Sequence, residues 1–121
     1  MADHVPHYVS LPAISFAATG AITGGRLVEN TGGMTVAAAA AASAKVQGVA
    51  ARDAVSGASL PVCVDGVHDL VATGAIAAGD IVVAAAGGTV APIGANVFGT
   101  KVGRALEAIA NAATGRILLT L

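Results

Sequence analysis

The chain has 121 residues, enough for one domain with a core and too few for two. Hydrophobic residues make up 55% of it, but aromatic residues only 2% and charged residues only 11%, below the roughly 25% usual for soluble domains. A net charge of −1, six scattered basic residues and a single cysteine, Cys63, argue against a nucleic-acid partner and exclude an intrachain disulfide.

So few charged side chains cannot make the whole exterior of the folded chain polar. The apolar mass is mostly Ala and Val, and such small side chains stabilise a core weakly, at about 25 cal/mol per Å² of apolar surface removed from water. We therefore expect an oligomer, or a subunit docked on a larger assembly.

A membrane location is not expected. Residues 81–100 carry no charge, but they contain too many Gly, Pro and Asn residues for a spanning helix. The first four residues, MADH, lack the basic and apolar segments of a secretory signal, so we expect a chain made without an export signal.

In chain order, residues 1–10 (MADHVPHYVS) are predicted to be an extended arm, because Pro6 and Pro12 favour β or polyproline geometry before them. Residues 11–121 are predicted to form one β-barrel domain. Its first strand falls within residues 11–16, with Ile14 and Phe16 on one face.

A repeated hairpin follows. Residues 19–36 (TGAITGGRLVENTGGMTV) and 73–90 (TGAIAAGDIVVAAAGGTV) share nine of eighteen positions and read as turn, strand, turn and returning strand. In the first copy, Leu27-Val28 is expected to pair with residues 34–36. The turn glycines, which we expect to supply positive φ, are Gly25, Gly33, Gly79 and Gly87.

The alanine run at residues 37–42 favours helix by propensity, but without a large anchoring side chain it could equally be a surface loop. Further strands are predicted within residues 45–52, 60–65, 67–72, 100–110 and 116–121. In the last of them Ile117, Leu119 and Leu121 share a face. Eight to ten short strands indicate an all-β fold, a small barrel with an internal two-fold hairpin repeat.

The densest polar cluster, residues 63–69 (CVDGVHD), holds the ingredients of a Cys-His-Asp nucleophile site. Because Gly66 turns the chain between Cys63 and His68, and no helix N-terminus is expected nearby to activate the thiol, we interpret it as a structural turn. This indicates no catalytic site.

No metal or cofactor site is predicted. Asp3, His4 and His7 could suggest a metal site, but Pro6 between the histidines and the extended arm remove the helical spacing that would bring them together. The paired glycines precede strands rather than a helix, so they do not form a phosphate loop.

Four segments together resemble the capsid cement, or head decoration, proteins of tailed bacteriophages. They are VCVDGVHDL at residues 62–70, AAGDIVV at 77–83, GGTV at 87–90 and VGRAL at 102–106. The resemblance spans about residues 8–121. The first hairpin copy departs from the pattern at Arg26, where the second has Asp80.

The resemblance implies a β-tulip-like barrel of short antiparallel strands and no enzyme activity. It implies a virion protein, made in the host cytoplasm, that binds the major capsid protein on the outer capsid surface as homotrimers at threefold and quasi-threefold sites. We expect the arm to lie on the capsid or to extend a neighbour's sheet by strand addition, through Val5, Pro6, His7, Tyr8 and Val9.

Two other functions are open on the sequence. One is a host- or carbohydrate-binding module displayed on a particle, although only Tyr8, Phe16 and Phe98 could stack on a sugar. The other is a small enzyme that uses Cys63 and His68.

Overall fold

The computed structural model describes residues 13–96 and 98–121, where it contains ten strands and two short 3-10 turns, Ala86–Gly88 and Phe98–Thr100. The first five strands are β1 Ile14–Ala18, β2 Leu27–Gly32, β3 Thr35–Ala38, β4 Val46–Ala50 and β5 Ser59–Cys63. The others are β6 Val67–Val71, β7 Ile81–Ala85, β8 Thr89–Pro92, β9 Lys101–Ala105 and β10 Thr114–Leu119. The predicted all-β fold is confirmed. None of the described helical segments is long and apolar enough to span a membrane.

The strands are divided between a closed barrel and a second sheet, rather than all lying in one barrel. The barrel has the order β1-β3-β2-β4-β5 and closes where β5 pairs with β1. The second sheet has the order β6-β10-β9-β7-β8. A single parallel bridge, Ala72 to Val90, joins its two outer strands.

The internal repeat is larger than the predicted hairpin, because each half of the chain is one five-stranded unit. The parallel pair Ala18–Val36 of the first half recurs 54 residues later as Ala72–Val90. Backbone hydrogen bonds recur as well: Gly25 N donates to Ala50 O at 2.8 Å, and Gly79 N donates to Ala105 O at 2.8 Å.

Even the irregularities of the two halves correspond. The β2/β4 pairing shifts register after Val28 lies opposite Gly48, and the β7/β9 pairing shifts after Val82 lies opposite Gly103. Each bulge places a glycine at the same point of its sheet. The repeat is therefore a property of the whole unit, including its bulges.

The first hairpin forms, but with a different register from the one predicted. Val28 lies opposite Ala38 and Asn30 opposite Val36, so β2 continues through Gly32 and the turn is short. Thr31 Oγ1 lies 2.9 Å from Thr35 Oγ1, and this cross-strand contact accompanies the longer pairing.

The alanine run forms no helix. Ala37 and Ala38 complete β3, Ala39 is buried, and Ala42 adopts a φ of +53° in the turn that follows. Strand pairing and the burial of Ala39 outweigh the modest helical preference of an isolated alanine segment.

The core consists of two apolar clusters. The barrel interior is filled by Phe16, Ala18, Ile22, Val28, Val36, Ala50, Leu60 and Val62. The other cluster fills the second half, and it also includes Leu27, Ala39 and Val49 from the first half. The two halves therefore share buried surface. Ile117 and Leu119 point inward as predicted, whereas Leu121 lies beyond β10 and is 52% exposed.

Candidate binding surface

Apolar side chains remain uncovered on the outer face of the second sheet. In β10 the buried residues Gly115, Ile117 and Leu119 alternate with the exposed residues Thr114, Arg116 and Leu118. The period of two thus places one leucine among polar neighbours on the solvent side. Leu118 is 36% exposed.

A continuous line of four side chains crosses this face, and we call it the outer row. Val67 lies opposite Leu118, Leu118 opposite Arg104, and Arg104 opposite Ile81. Val67 is 50% exposed. The Arg104 guanidinium donates through Nη1 to the Gly79 carbonyl oxygen at 3.1 Å, so its position is fixed by backbone. The outer row combines aliphatic surface with one anchored positive charge.

A charged cleft lies beside the outer row. Asp69 is directly opposite Arg116, and these two residues, Glu107, Thr114 and Gly115 line a cleft of about 320 Å³. One arginine and two carboxylates in a cleft at the margin of an apolar strip resemble the polar rim of a protein interface.

Other uncovered apolar side chains lie at loop tips. Met34, at the tip of the β2–β3 hairpin, is 57% exposed. Val55 is 71% exposed and lines a second cleft with Arg52, Asp53 and Ser59. Leu106, after β9, is 48% exposed.

The polar cluster at residues 63–69 is divided between the two sheets. Cys63 lies on β5 and pairs with Val49 in the barrel, whereas His68 lies on β6 in the second sheet. His68 Nε2 is 2.8 Å from the carbonyl oxygen of Asp65, so the imidazole contacts the local turn. The arrangement is that of a structural connection between the halves.

In residues 13–96 and 98–121, no group of three or more His, Cys, Asp or Glu side chains is placed to hold a metal ion. Asp3, His4 and His7 lie outside the described residues. The arm residues Val5, Pro6, His7, Tyr8 and Val9 also lie outside them.

Three of the four turn glycines adopt positive φ: +79° at Gly25, +85° at Gly79 and +73° at Gly87. At the first hairpin tip it is Met34, after Gly33, that adopts positive φ, at +58°. This conformation is uncommon for a residue with a side chain.

Sequence reasoning missed the outer row. The alternation of RILLTL correctly places Ile117 and Leu119 inside, but a leucine in the opposite phase, Leu118, is the signal of an apolar outer face. The partners of Leu118 come from β6, β9 and β7, and only the strand order brings them into line.

An all-β chain with uncovered apolar side chains fits a protein that packs against an assembly. A family model described as phage cement protein matches residues 11–121. The fold is also similar to the crystal structure of the head fiber gp8.5 N base in bacteriophage phi29. That match has a TM-score of 0.72 and 18% sequence identity, and covers 89% of this chain and 92% of that chain. A search of curated proteins found no match.

The chain belongs to the phage cement protein family, since the family model covers nearly all of it. It therefore has a structural role at the phage capsid. The similarity to the phi29 head fiber base, at low sequence identity, establishes the shared fold.

Proposed function

We propose that this chain is a cement protein that binds the major capsid protein on the exterior of the assembled capsid and stabilises the shell, as homotrimers at threefold and quasi-threefold sites. The observation that carries the proposal is the uncovered apolar surface. Among the described residues, five large apolar side chains, including Met34, Val55 and Val67, are nearly half exposed or more in a chain with only 11% charged residues. Such a surface is stabilised when a partner covers it.

The mechanism is linkage between binding and assembly. A subunit that binds only the assembled lattice stabilises it by RT ln(1 + [L]/Kd), or about 2.7 kcal/mol per site at about 100 times Kd. Copies that bridge neighbouring capsid subunits add avidity, because each second contact forms at a high effective concentration. A catalytic group is not needed for this function, and we propose none.

We further propose that the N-terminal arm, through Val5, Pro6, His7, Tyr8 and Val9, lies on the capsid or extends a neighbour's sheet. The support is the position of the arm in the chain: it comes a few residues before β1, and strand addition requires only a short extended segment beside a sheet edge.

Mixing the purified chain with capsids that lack it tests this function. We expect saturable binding in multiples of three copies and a higher melting temperature of the shell, because bound copies shift the equilibrium toward the intact lattice. The measurements are bound copy number by quantitative gel densitometry and shell melting by scanning calorimetry. Heat-unfolded chain is the control. A capsid that neither binds the chain nor melts at a higher temperature would contradict the proposal.

The described residues do not favour a carbohydrate-binding module. Of the three aromatic residues that could stack on a sugar, Phe16 is only 6% exposed and belongs to the barrel interior. A buried ring cannot present its face to a ligand.

A further inference from the structure

In the first half of the chain, the counterpart of the outer row is an internal packing surface. Leu27 lies opposite Val49, and Val49 opposite Cys63, across β2, β4 and β5. Leu27 and Val49 are 0% and 3% exposed, and both belong to the apolar cluster of the second half rather than to the barrel interior. The second half therefore covers this row.

The tip of the β7–β8 hairpin makes that contact. Gly88 N donates to the carbonyl oxygen of Ala39 at 3.1 Å, and Arg26 Nη1 donates to the carbonyl oxygen of Gly87 at 3.3 Å. The approach is close enough that a Cβ on Gly88 would lie 2.5 Å from Leu27 O. The packing of a hairpin tip against a row of strand residues therefore already occurs within this fold.

A second copy of each surface exists in every chain, and the residues that the structure describes leave both of them uncovered. The equivalent row is the outer row on the second sheet. It is bordered by Ile93, whose N donates to Ile81 O at 2.9 Å, as Ala39 N donates to Leu27 O at 3.0 Å. The equivalent tip is Gly33-Met34 on the β2–β3 hairpin, with Met34 57% exposed.

We propose that the Met34 tip of one copy packs on the outer row of a second copy, so that copies associate head to tail. This inference rests on the homo-oligomer of the proposed function and assigns its contact surfaces. A contact between two different surfaces closes into a ring when the rotation allows it. Three copies would then arrange six five-stranded units around the axis.

The side chains at the two surfaces suit a contact that is looser than the internal one. Met34 stands where the internal tip has Gly88, and a Cβ does not fit there, so the two backbones must lie farther apart. A flexible thioether side chain can fill that gap against Leu118 and Ile81. Met34 adopts a φ of +58°, which is uncommon for a residue with a side chain, at the tip of the hairpin.

The test uses Met34→Glu, which alters the tip, and Leu118→Glu, which alters the row. Sedimentation equilibrium should show that each variant self-associates at least about tenfold more weakly than the wild-type chain, because each buries a charge in the contact. Ala51→Glu, at an exposed apolar residue outside both surfaces, is the control and should associate like the wild type. Unchanged melting temperatures would show that the variants are folded.

Mixing the two variants separates head-to-tail contact from other modes. The Met34→Glu copy keeps an intact row and the Leu118→Glu copy keeps an intact tip, so the mixture should form heterodimers that cannot grow further, while each variant alone stays monomeric. A mixture that stays monomeric overturns the inference. So does a wild-type chain that stays monomeric at about 1 mM.

Binding of the same variants to capsids keeps the two proposals distinguishable. If both variants self-associate normally but no longer bind the capsid, the outer row faces the shell; this inference is then wrong and the cement function stands. If the wild-type chain self-associates through these surfaces but binds no capsid, the inference stands and the cement function fails.

Discussion

A Gly115→Ala variant should be less stable than the wild-type chain by about 2 kcal/mol, because the added methyl group overlaps a neighbouring side chain. Gly115 is buried on β10, and a Cβ there would lie 2.5 Å from Ile109 Cδ1 and 3.2 Å from Ile109 Cγ2. The free energy of unfolding from urea titration measures the effect. Gly20→Ala is the matched control, since nothing lies within 4 Å of its added Cβ.

In the first half of the chain, the two equivalent positions hold a large and a small residue in the opposite order. The bridge Ile22–Ala54 corresponds to Ile76–Ile109, and on the adjoining strand Leu60 corresponds to Gly115. A large residue therefore faces a small one in both halves, in opposite order.

The exchange predicts a strong coupling between the two sites. Ile109→Ala alone should cost about 3 kcal/mol through the cavity it leaves. The double variant Ile109→Ala, Gly115→Leu transplants the pair of the first half, so it should be clearly more stable than the sum of the single effects predicts. Additive effects in the double-mutant cycle would show that the two halves do not pack equivalently.

Gly103→Ala should destabilise the fold by about 3 kcal/mol, at the upper end of the range for overpacking. A Cβ on Gly103 would collide with the carbonyl oxygen of Leu118 and lie 3.1 Å from Ile117 Cγ2. Gly103 is paired on both sides, with Val82 and with Leu119, so the sheet cannot relax around it. Urea titration beside the Gly20→Ala control measures the loss.

The equivalent position in the barrel should behave in the same way. A Cβ on Gly48 would collide with the carbonyl oxygen of Cys63, and Gly48 also has a φ of +154°. Similar losses for Gly48→Ala and Gly103→Ala would identify close backbone approach as the shared reason for glycine at both bulges. A Gly103→Ala variant as stable as the control would refute the packing described for β9.

Much of the fold could be predicted from sequence because turn glycines and short Val- and Ile-rich runs are local signals. The duplicated hairpin is visible because its turns need the same residues in both copies. The rest of the repeat cannot be seen in the sequence. Equivalent pairs, such as Leu60 with Ala54 and Gly115 with Ile109, fill a similar volume in the core with residues of different type. Only the backbone pairing reveals it.

The candidate surface was less predictable because it depends on strand order. Leu118 looks like part of an apolar closing strand until its neighbours Val67 and Arg104 are known. The register of the first hairpin was missed for a related reason. Asn30, Thr31 and Gly32 favour a turn by composition, but they continue β2 because Asn30 pairs with Val36 and Gly32 pairs with Thr35 of β3.

The most direct test of binding to the capsid exterior is an electron cryomicroscopy reconstruction of capsids that lack this chain, after incubation with the purified protein. The proposed function predicts added density on the outer surface at the threefold and quasi-threefold positions, with two five-stranded units per copy and the arm on the shell or on a neighbouring copy. A saturated shell with no added outer density, or with density only inside, would contradict it.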